Sequence, residues 1–367
     1  MSRKTIYVIL ITLAGLIVLG GVIWYLFFNP TEVAAPSGAD FTTPGIAPTV
    51  AEKVSAISSG PAIAAYYSPG QGSVLFYDYA GKLWQLNNAA SAPEIVPQNP
   101  IENIADVIWS KNLINIVQAG TNNLDARYIF SDFSQKIAAD LRSGIKSLAF
   151  SPDNGKIVYS VLENQKTNAL IISNPDGSRQ KILINNFKLR DFILSWPKVN
   201  VIGLTSRPSG LVLGSAWTLN TGSLALTKVI DTLPGLETLW SPDGSMMAYS
   251  FVNQNASNPK LGISKNGELK EVSGISTLVG KCAWTGDSLY LYCAAPKSWP
   301  EGMVLPDDFY KKTVLTGDDI WKINTSTGEK ELIISELGNV SSIIVGTDIL
   351  YFISGANQYL YRLNSAE

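Results

Sequence analysis

A repeated phrase runs through most of this chain, in which an apolar or aromatic residue and a Ser or Thr precede a tight turn and an apolar segment. Successive copies are 42, 41, 44, 46 and 44 residues apart, and their anchors are Ser68, Ser110, Ser151, Ser195, Ser241 and Thr285. A unit of this length cannot bury a hydrophobic face by itself, so it must pack against its neighbours. The repeat therefore predicts an array of small sheets.

Each unit has the signals of four short antiparallel strands. Turn tripeptides such as Pro242-Asp243-Gly244 and Gly286-Asp287-Ser288 are typical of hairpins, because Pro presets φ and Asp or Gly accepts tight backbone positions. A second phrase ends several units, as in LWQLN from Leu83 and IWKINTSTG from Ile320. Four-stranded repeats of 40–45 residues predict an all-β fold, the β-propeller.

Six units are complete, and a seventh begins near Ser342 with only three strand-like segments. The segment EKVSAISSGP from Glu52 resembles the outer strands KEVSGISTL from Lys270 and KELIISELG from Lys330. We therefore expect Glu52–Ser58 to complete the last blade beside Tyr359–Leu363, which closes the ring and protects its edges. The resulting prediction is a seven-bladed propeller with four-stranded blades, over residues 51–367.

The two phrases resemble the WD40-like repeats of TolB-type propellers, also called PD40 repeats. The best matches are AFSPDNGKIVYS from Ala149, LIISNPDGSRQKIL from Leu170 and LWSPDGSMMAYS from Leu239. The resemblance implies a propeller, and propellers of this type serve as periplasmic binding modules, surface proteins and gating domains of peptidases. A peptidase role does not suit this chain, because it contains no histidine.

The segment Thr5–Phe28 carries no charge and is long enough to cross a bilayer core of about 30 Å. Because Arg3 and Lys4 precede it, the positive-inside rule predicts a cytoplasmic tail (1–4), a transmembrane helix (5–28), and a Pro-rich linker (29–50) that leads to an extracytoplasmic propeller. The expected localisation is the cell membrane, as a single-pass protein with an extracellular domain. A cleaved signal peptide is the alternative.

The composition excludes several classes of function. There are 28 basic and 30 acidic residues, no His and 2 Cys. Nucleic acid is not an expected partner, because its recognition needs a basic face. Nucleophile systems that use His and metal sites that use His or four thiolates are excluded. We expect no cofactor, no metal and no catalytic residues, hence no enzyme.

Two residue types invite functional readings that the repeat explains. Four aspartates occur in turns, where we expect them to cap hairpins through side-chain hydrogen bonds: Asp153, Asp176, Asp243 and Asp287. Seven tryptophans occupy repeat positions, where we expect blade packing: Trp84, Trp109, Trp196, Trp217, Trp240, Trp284 and Trp321.

The one large departure from the repeat is an insertion at 296–318. It contains Trp299, Phe309, Tyr310, Lys311 and Lys312, none of which has a repeat position to fill. Trp and Tyr are favoured binding anchors, and long loops are often functional. We predict that these residues contact a partner. The competing interpretation is that the aromatic side chains fold back and cover the sixth blade.

Cys282 and Cys293 flank the sixth hairpin, AWTGDSLYLY. A loop at Asp287-Ser288 places them directly opposite, and a loop at Gly286-Asp287 places them diagonally. Direct pairs lie about 4.5–5.5 Å apart, within reach of a disulfide, and diagonal pairs at about 7–8 Å are marginal. We predict a disulfide, with two buried thiols as the alternative.

Together these features predict a membrane-anchored propeller that binds a protein or a cell-envelope component. The alternatives are a carbohydrate-active enzyme that uses carboxylates on the channel face, which needs paired acids about 5–9 Å apart, and a purely structural surface protein.

Overall fold

The computed structural model describes residues 53–88, 90–110, 114–120, 126–164 and 167–363, and these residues form an all-β propeller. The first half contains β1 (Val54–Ser68), β2 (Ser73–Asp78), β3 (Leu83–Asn87), β4 (Glu94–Ile95), β5 (Ile104–Trp109), β6 (Ile114–Ala119), β7 (Arg127–Asp132), β8 (Ile137–Asp140), β9 (Ile145–Phe150), β10 (Ile157–Asn164), β11 (Thr167–Ser173) and β12 (Lys181–Phe187). The second half contains β13 (Phe192–Lys198), β14 (Val201–Ser206), β15 (Leu213–Asn220), β16 (Leu226–Pro234), β17 (Glu237–Trp240), β18 (Met246–Phe251), β19 (Lys260–Lys265), β20 (Glu268–Glu271), β21 (Cys282–Trp284), β22 (Tyr290–Pro296), β23 (Asp318–Asn324), β24 (Lys330–Ile334), β25 (Val340–Val345), β26 (Leu350–Ser354) and β27 (Tyr359–Leu363). Among the described residues, the helical elements are a 3-10 turn (Val279–Lys281) and α1 (Asp307–Tyr310).

The prediction of seven four-stranded blades is wrong. The described strands form five four-stranded sheets, β5–β8, β9–β12, β13–β16, β17–β20 and β21–β24, and one seven-stranded sheet in the order β25-β26-β27-β1-β2-β3-β4. The physical reason is β1, a strand of 15 residues that has two register shifts but no turn. Its hydrogen-bond ladders therefore join the first and last sets of strands into one sheet.

The predicted partner of the last strand is confirmed for the described part of the segment. Val54, Ser55 and Ala56 pair with Leu363, Arg362 and Tyr361 in antiparallel register. The Leu360 N–H also donates to Ser58 Oγ at 2.9 Å. The ring is thus closed by non-local pairing, which leaves β27 without an open edge.

Apolar residues pack mainly between successive sheets, as a repeat of this kind requires. The cluster between the β5–β8 and β9–β12 sheets shows the pattern, with Ile116 and Tyr128 from one sheet against Ile145, Leu148 and Tyr159 from the other. The predicted tryptophan positions are confirmed, since Trp109, Trp196, Trp240 and Trp284 lie in or at the end of inner strands, and Trp84, Trp217 and Trp321 lie in third strands.

The aspartates of the turns are hairpin caps, as predicted. Asp243 Oδ1 accepts hydrogen bonds from Ser241 Oγ at 2.6 Å and from the Ser245 N–H at 2.9 Å. Asp153 and Asp287 accept equivalent bonds from Ser151 Oγ and Thr285 Oγ1. These bonds lower the pKa of Asp153 and Asp287, because they stabilise the ionised form. Burial acts to raise the pKa of Asp243, but its several hydrogen bonds together outweigh burial and lower it.

The predicted single-pass membrane localisation is corrected. Within 53–363, apart from the gaps given above, no helix is long and apolar enough to cross a bilayer. The segments assigned to the cytoplasmic tail, transmembrane helix and linker, residues 1–50, lie outside the described residues.

The two cysteines occupy the directly opposed register. Cys282 on β21 pairs with Cys293 on β22, with their Cα atoms 4.1 Å apart, and a disulfide joins them. Both side chains are buried in the cluster between the β17–β20 and β21–β24 sheets.

We expect the double variant Cys282→Ala/Cys293→Ala to lose about 3 kcal/mol of unfolding free energy, because the bond closes a loop with a sequence separation of 11. Urea unfolding of the two proteins measures the difference. Thiol labelling of denatured, unreduced wild type provides the check, since two reactive thiols would show that the bond is absent.

Candidate functional site

The insertion joins β22 to β23, the second and third strands of one sheet. In a four-stranded antiparallel blade this connection opens on the same side as the link from each outer strand to the next inner strand. We call this side the insertion face. α1 lies within the insertion, and Asp307 and Asp308 occupy its first turn.

The insertion contacts loops of several other sheets. Asp307 Oδ2 accepts the Gly210 N–H at 2.7 Å, in the β14–β15 loop. Trp299 Nε1 donates to the Ser276 carbonyl at 3.2 Å, between β20 and β21. Lys312 Nζ donates to Gln358 Oε1 at 2.7 Å, in the β26–β27 loop. The segment is therefore held across part of the insertion face.

A buried ion pair lies beneath the insertion. Lys281 Nζ is 2.9 and 2.8 Å from the two carboxylate oxygens of Asp318, and both side chains are fully buried. The ammonium also donates to Thr316 Oγ1 at 3.2 Å, and the Val340 N–H donates to Asp318 Oδ2 at 2.6 Å. Burial lowers the pKa of Lys281, and the charge of Asp318 opposes that shift.

Two of the predicted binding aromatics surround this ion pair. The ring centroids of Trp299 and Phe309 lie 5.3 and 5.5 Å from Lys281 Nζ, within range of cation–π attraction. Both rings also pack on the apolar cluster of Val252, Ala256, Leu305 and Val314. These two side chains thus make the inward contacts of the covering interpretation.

Tyr310 connects the insertion to the start of β17. Its hydroxyl donates to Glu237 Oε1, although the residue as a whole remains half exposed. Ser250 Oγ donates to Glu237 Oε2 at 3.1 Å. A Cβ at Gly280 would approach the Tyr310 hydroxyl oxygen to 2.6 Å, so glycine at this position leaves room for the phenol. Burial raises the pKa of Glu237 to about 7.

We expect Glu237 to make folding pH-dependent. Because the pKa of Glu237 in the folded protein is about 7, above the usual glutamate value of 4.5, the folded state binds this proton more tightly than the unfolded state. The bound proton therefore adds on the order of 3 kcal/mol to the free energy of unfolding. This contribution is fully present below about pH 4.5 and is lost as the pH rises through about 7. Relative to wild type, Glu237→Gln should therefore show a smaller fall in melting temperature between pH 5 and pH 8.

The exposed Glu268 provides the control, since Glu268→Gln should leave the wild-type pH dependence unchanged. Equal pH dependence in wild type and Glu237→Gln would contradict the assignment.

The remaining predicted residues, Lys311 and Lys312, are exposed at the end of α1. Lys311 Nζ lies 3.1 Å from Asp308 Oδ1. The insertion thus brings Trp299 and Phe309 together around Lys281 and leaves the two lysines and part of Tyr310 at the surface. Their contact with a partner stays a prediction.

Sequence reasoning missed Glu237, Lys281 and Asp318. A signal was present for two of them, because Glu237 and Lys281 each lie four residues before a repeat anchor, Ser241 and Thr285. Asp106 stands at the same distance before Ser110. At this repeat position Glu237 and Lys281 are buried, whereas Asp106 is exposed to the central cavity.

A central cavity of about 1840 Å³ lies among the inner strands. Its aromatic lining comes from several sheets: Tyr66, Tyr67, Trp109, Tyr128, Phe150, Trp196, Trp240, Trp284, Tyr290 and Tyr292. Two of the indoles also link neighbouring inner strands, since Trp109 Nε1 donates to the Ala64 carbonyl at 2.7 Å and Trp284 Nε1 to the Leu239 carbonyl at 3.1 Å. Trp196 and Trp240 remain partly exposed.

Within the described chain, no group of three or more His, Cys, Asp or Glu is placed to hold a metal ion.

No family model matches this chain, and no curated protein matches it. The TolB-type resemblance is therefore reduced to the propeller fold. Among solved structures, the chain is similar to oligogalacturonate lyase from Vibrio parahaemolyticus, with 12% identity, a TM-score of 0.59, and coverage of 86% of this chain and 94% of that one. It is also similar to the β-propeller domain of Cps50 from Myceliophteria thermophila, with 8% identity, a TM-score of 0.57, and coverage of 85% and 98%. A third similarity is to the tricorn protease, with 10% identity, a TM-score of 0.53, and coverage of 85% of this chain but 34% of that one. At these identities the similarities show that the chain has a β-propeller fold.

Proposed function

We propose that this chain is a binding module, not an enzyme, and that its partner is a protein or a cell-envelope component received in the central cavity. The cavity volume of about 1840 Å³ carries the proposal. Sites for small molecules have volumes of about 300–1,000 Å³, so a cavity of this size suits a segment of a larger ligand.

The aromatic lining supports the same function. Trp and Tyr are enriched among the residues that dominate binding energy, because they offer large rigid surfaces with few rotatable bonds. Trp196 and Trp240 are partly exposed and so present indole surface that blade packing does not use. Lys311, Lys312 and the exposed part of Tyr310 would contribute contacts from the insertion face.

The alternative is a carbohydrate-active enzyme, which the fold similarity to oligogalacturonate lyase brings into consideration. Of the carboxylates that line the cavity, Asp287 already accepts bonds from Thr285 Oγ1 and the Leu289 N–H as a turn cap. Asp106, Glu331 and Asp348 also line the cavity, and burial raises the pKa of Asp106. Catalysis by Asp106 would require a second carboxyl group at a suitable distance.

Site-specific photo-crosslinking tests the binding proposal. We expect a crosslinking amino acid at Trp196 or Trp240 to capture the same species in cells, whereas one at Ile137, an exposed residue of the outer strand β8, should not capture it. Equal capture at all three positions, or none, would contradict binding in the cavity. Release of cleaved product from polygalacturonate by the purified protein would favour the enzyme.

A further inference from the structure

A row of polar side chains crosses three strands of the β5–β8 sheet. Asp106 on β5 pairs with Gln118 on β6, and Gln118 pairs with Tyr128 on β7, so the three side chains share one face. A register shift between Ile104 and Asp106 locally re-aims the inner strand, a feature that is frequent beside functional sites. The Tyr128 hydroxyl donates to Gln118 Oε1 at 3.3 Å.

Two basic residues from the next sheets line the same cavity. Lys146 lies at the register shift of β9, and Arg207 follows β14. Arg207 Nη2 donates to the Lys146 carbonyl at 3.0 Å, which ties the two residues together. Burial raises the pKa of Tyr128 to about 12, and to a smaller extent the charge of Arg207 lowers it and the charge of Asp106 raises it.

Arg207 and Asp106 keep binding capacity for a ligand. Arg207 is exposed, and no carboxylate of the described residues lies within 4.0 Å of its guanidinium. Asp106 accepts the Val107 N–H at 2.8 Å, and its side chain is otherwise open to the cavity. A cation and a carboxylate that face one space without pairing suit a ligand with both an anionic group and hydrogen-bond donors.

We propose that this polar row, with Arg207, binds a carboxylated sugar unit of an acidic polysaccharide, which rests on and deepens the proposed binding function. Arg207 presents the planar fork that matches a carboxylate. The Asp106 carboxylate would accept hydrogen bonds from ring hydroxyls, and the side-chain amide of Gln118 would donate to them. The partly exposed rings of Phe150 and Trp196 line the same cavity and offer surfaces for the C–H faces of a sugar.

Asp106 decides between a sugar acid and other anions. A polyanion without hydroxyl donors, such as an acidic peptide, would be repelled by this carboxylate. A sugar acid presents one carboxylate and several hydroxyl donors in each unit, so it can use Arg207 and Asp106 at the same time. The polar row and Arg207 therefore favour a ligand that carries both a carboxylate and several hydroxyl groups.

Calorimetric titration with trigalacturonate, maltotriose and tetra-aspartate tests this assignment. We expect trigalacturonate to bind, and Arg207→Met to weaken its binding by about tenfold to a hundredfold, as for loss of a hydrogen bond to a charged group. Asp106→Asn should weaken trigalacturonate binding but strengthen that of tetra-aspartate. Arg127→Met provides the matched control, because it removes an exposed guanidinium that pairs with Asp140 near the outer strand of the same sheet. The control should bind as wild type does.

The outcomes separate this assignment from the broader function. Equal affinity for maltotriose and trigalacturonate, or tighter binding of tetra-aspartate than of trigalacturonate to wild type, would overturn the sugar-acid assignment. Absence of binding to all three probes would also overturn it, whereas capture at Trp196 and Trp240 would still support the cavity as a binding site. Unchanged melting temperatures show that the variants are folded.

Discussion

Lys281→Met is expected to lower the free energy of unfolding by about 3–5 kcal/mol, the cost of leaving a buried charge without its partner. Asp318 is fully buried, and after the substitution its carboxylate would keep only neutral donors such as the Val340 N–H. The methylene stem would be preserved, so the loss would report the missing ammonium rather than a cavity. Urea unfolding of both proteins measures the effect.

Two further variants complete this test. Adding Asp318→Leu to Lys281→Met should recover much of the stability, because a buried ion pair replaced by apolar groups of similar volume is often neutral. Lys297→Ala is the control, since it breaks a bridge to Glu336 in which both side chains are 60% exposed, and it should not change stability measurably. If Lys281→Met has the same free energy of unfolding as Lys297→Ala, water must reach the Lys281–Asp318 ion pair.

Deletion of residues 1–60 should strongly lower the melting temperature. It removes the part of β1 that pairs with Leu363, Arg362 and Tyr361, together with the buried side chain of Ile57. Burial of such a side chain alone contributes about 1.5–3 kcal/mol. The deletion also removes the Ser58 hydroxyl that accepts the Leu360 N–H and exposes β27 as an edge.

Deletion of 1–52 sets the reference, because it retains all of the described pairing of β1. If both truncated proteins melt at the same temperature, the pairing of Val54–Ala56 with β27 does not stabilise the propeller. Formation of dimers by the shorter protein alone would report the newly exposed edge.

Local sequence determined the repeating units of this protein. Hairpin caps such as Asp243, inner-strand tryptophans such as Trp240, and the shared face of Cys282 and Cys293 depend on spacing within one unit. Such features are readable because turn chemistry and the two-residue period of a strand act over a few residues. The pairing of β1 with β27 was also readable, because the segment from Glu52 matches the outer strands of other units.

Tertiary structure decided how distant units meet. β1 continues from one set of strands into the next without a turn, so the predicted seven separate blades became five four-stranded sheets and one seven-stranded sheet. Trp299 and Phe309 turn inward, where they pack on an apolar cluster and lie beside Lys281, which pairs with Asp318 37 residues away. The Asp106–Gln118–Tyr128 row and Arg207 meet only when successive sheets pack around the cavity. Sequence determined each unit through short-range backbone preferences, whereas the candidate sites depend on burial and charge contributed by residues from different units.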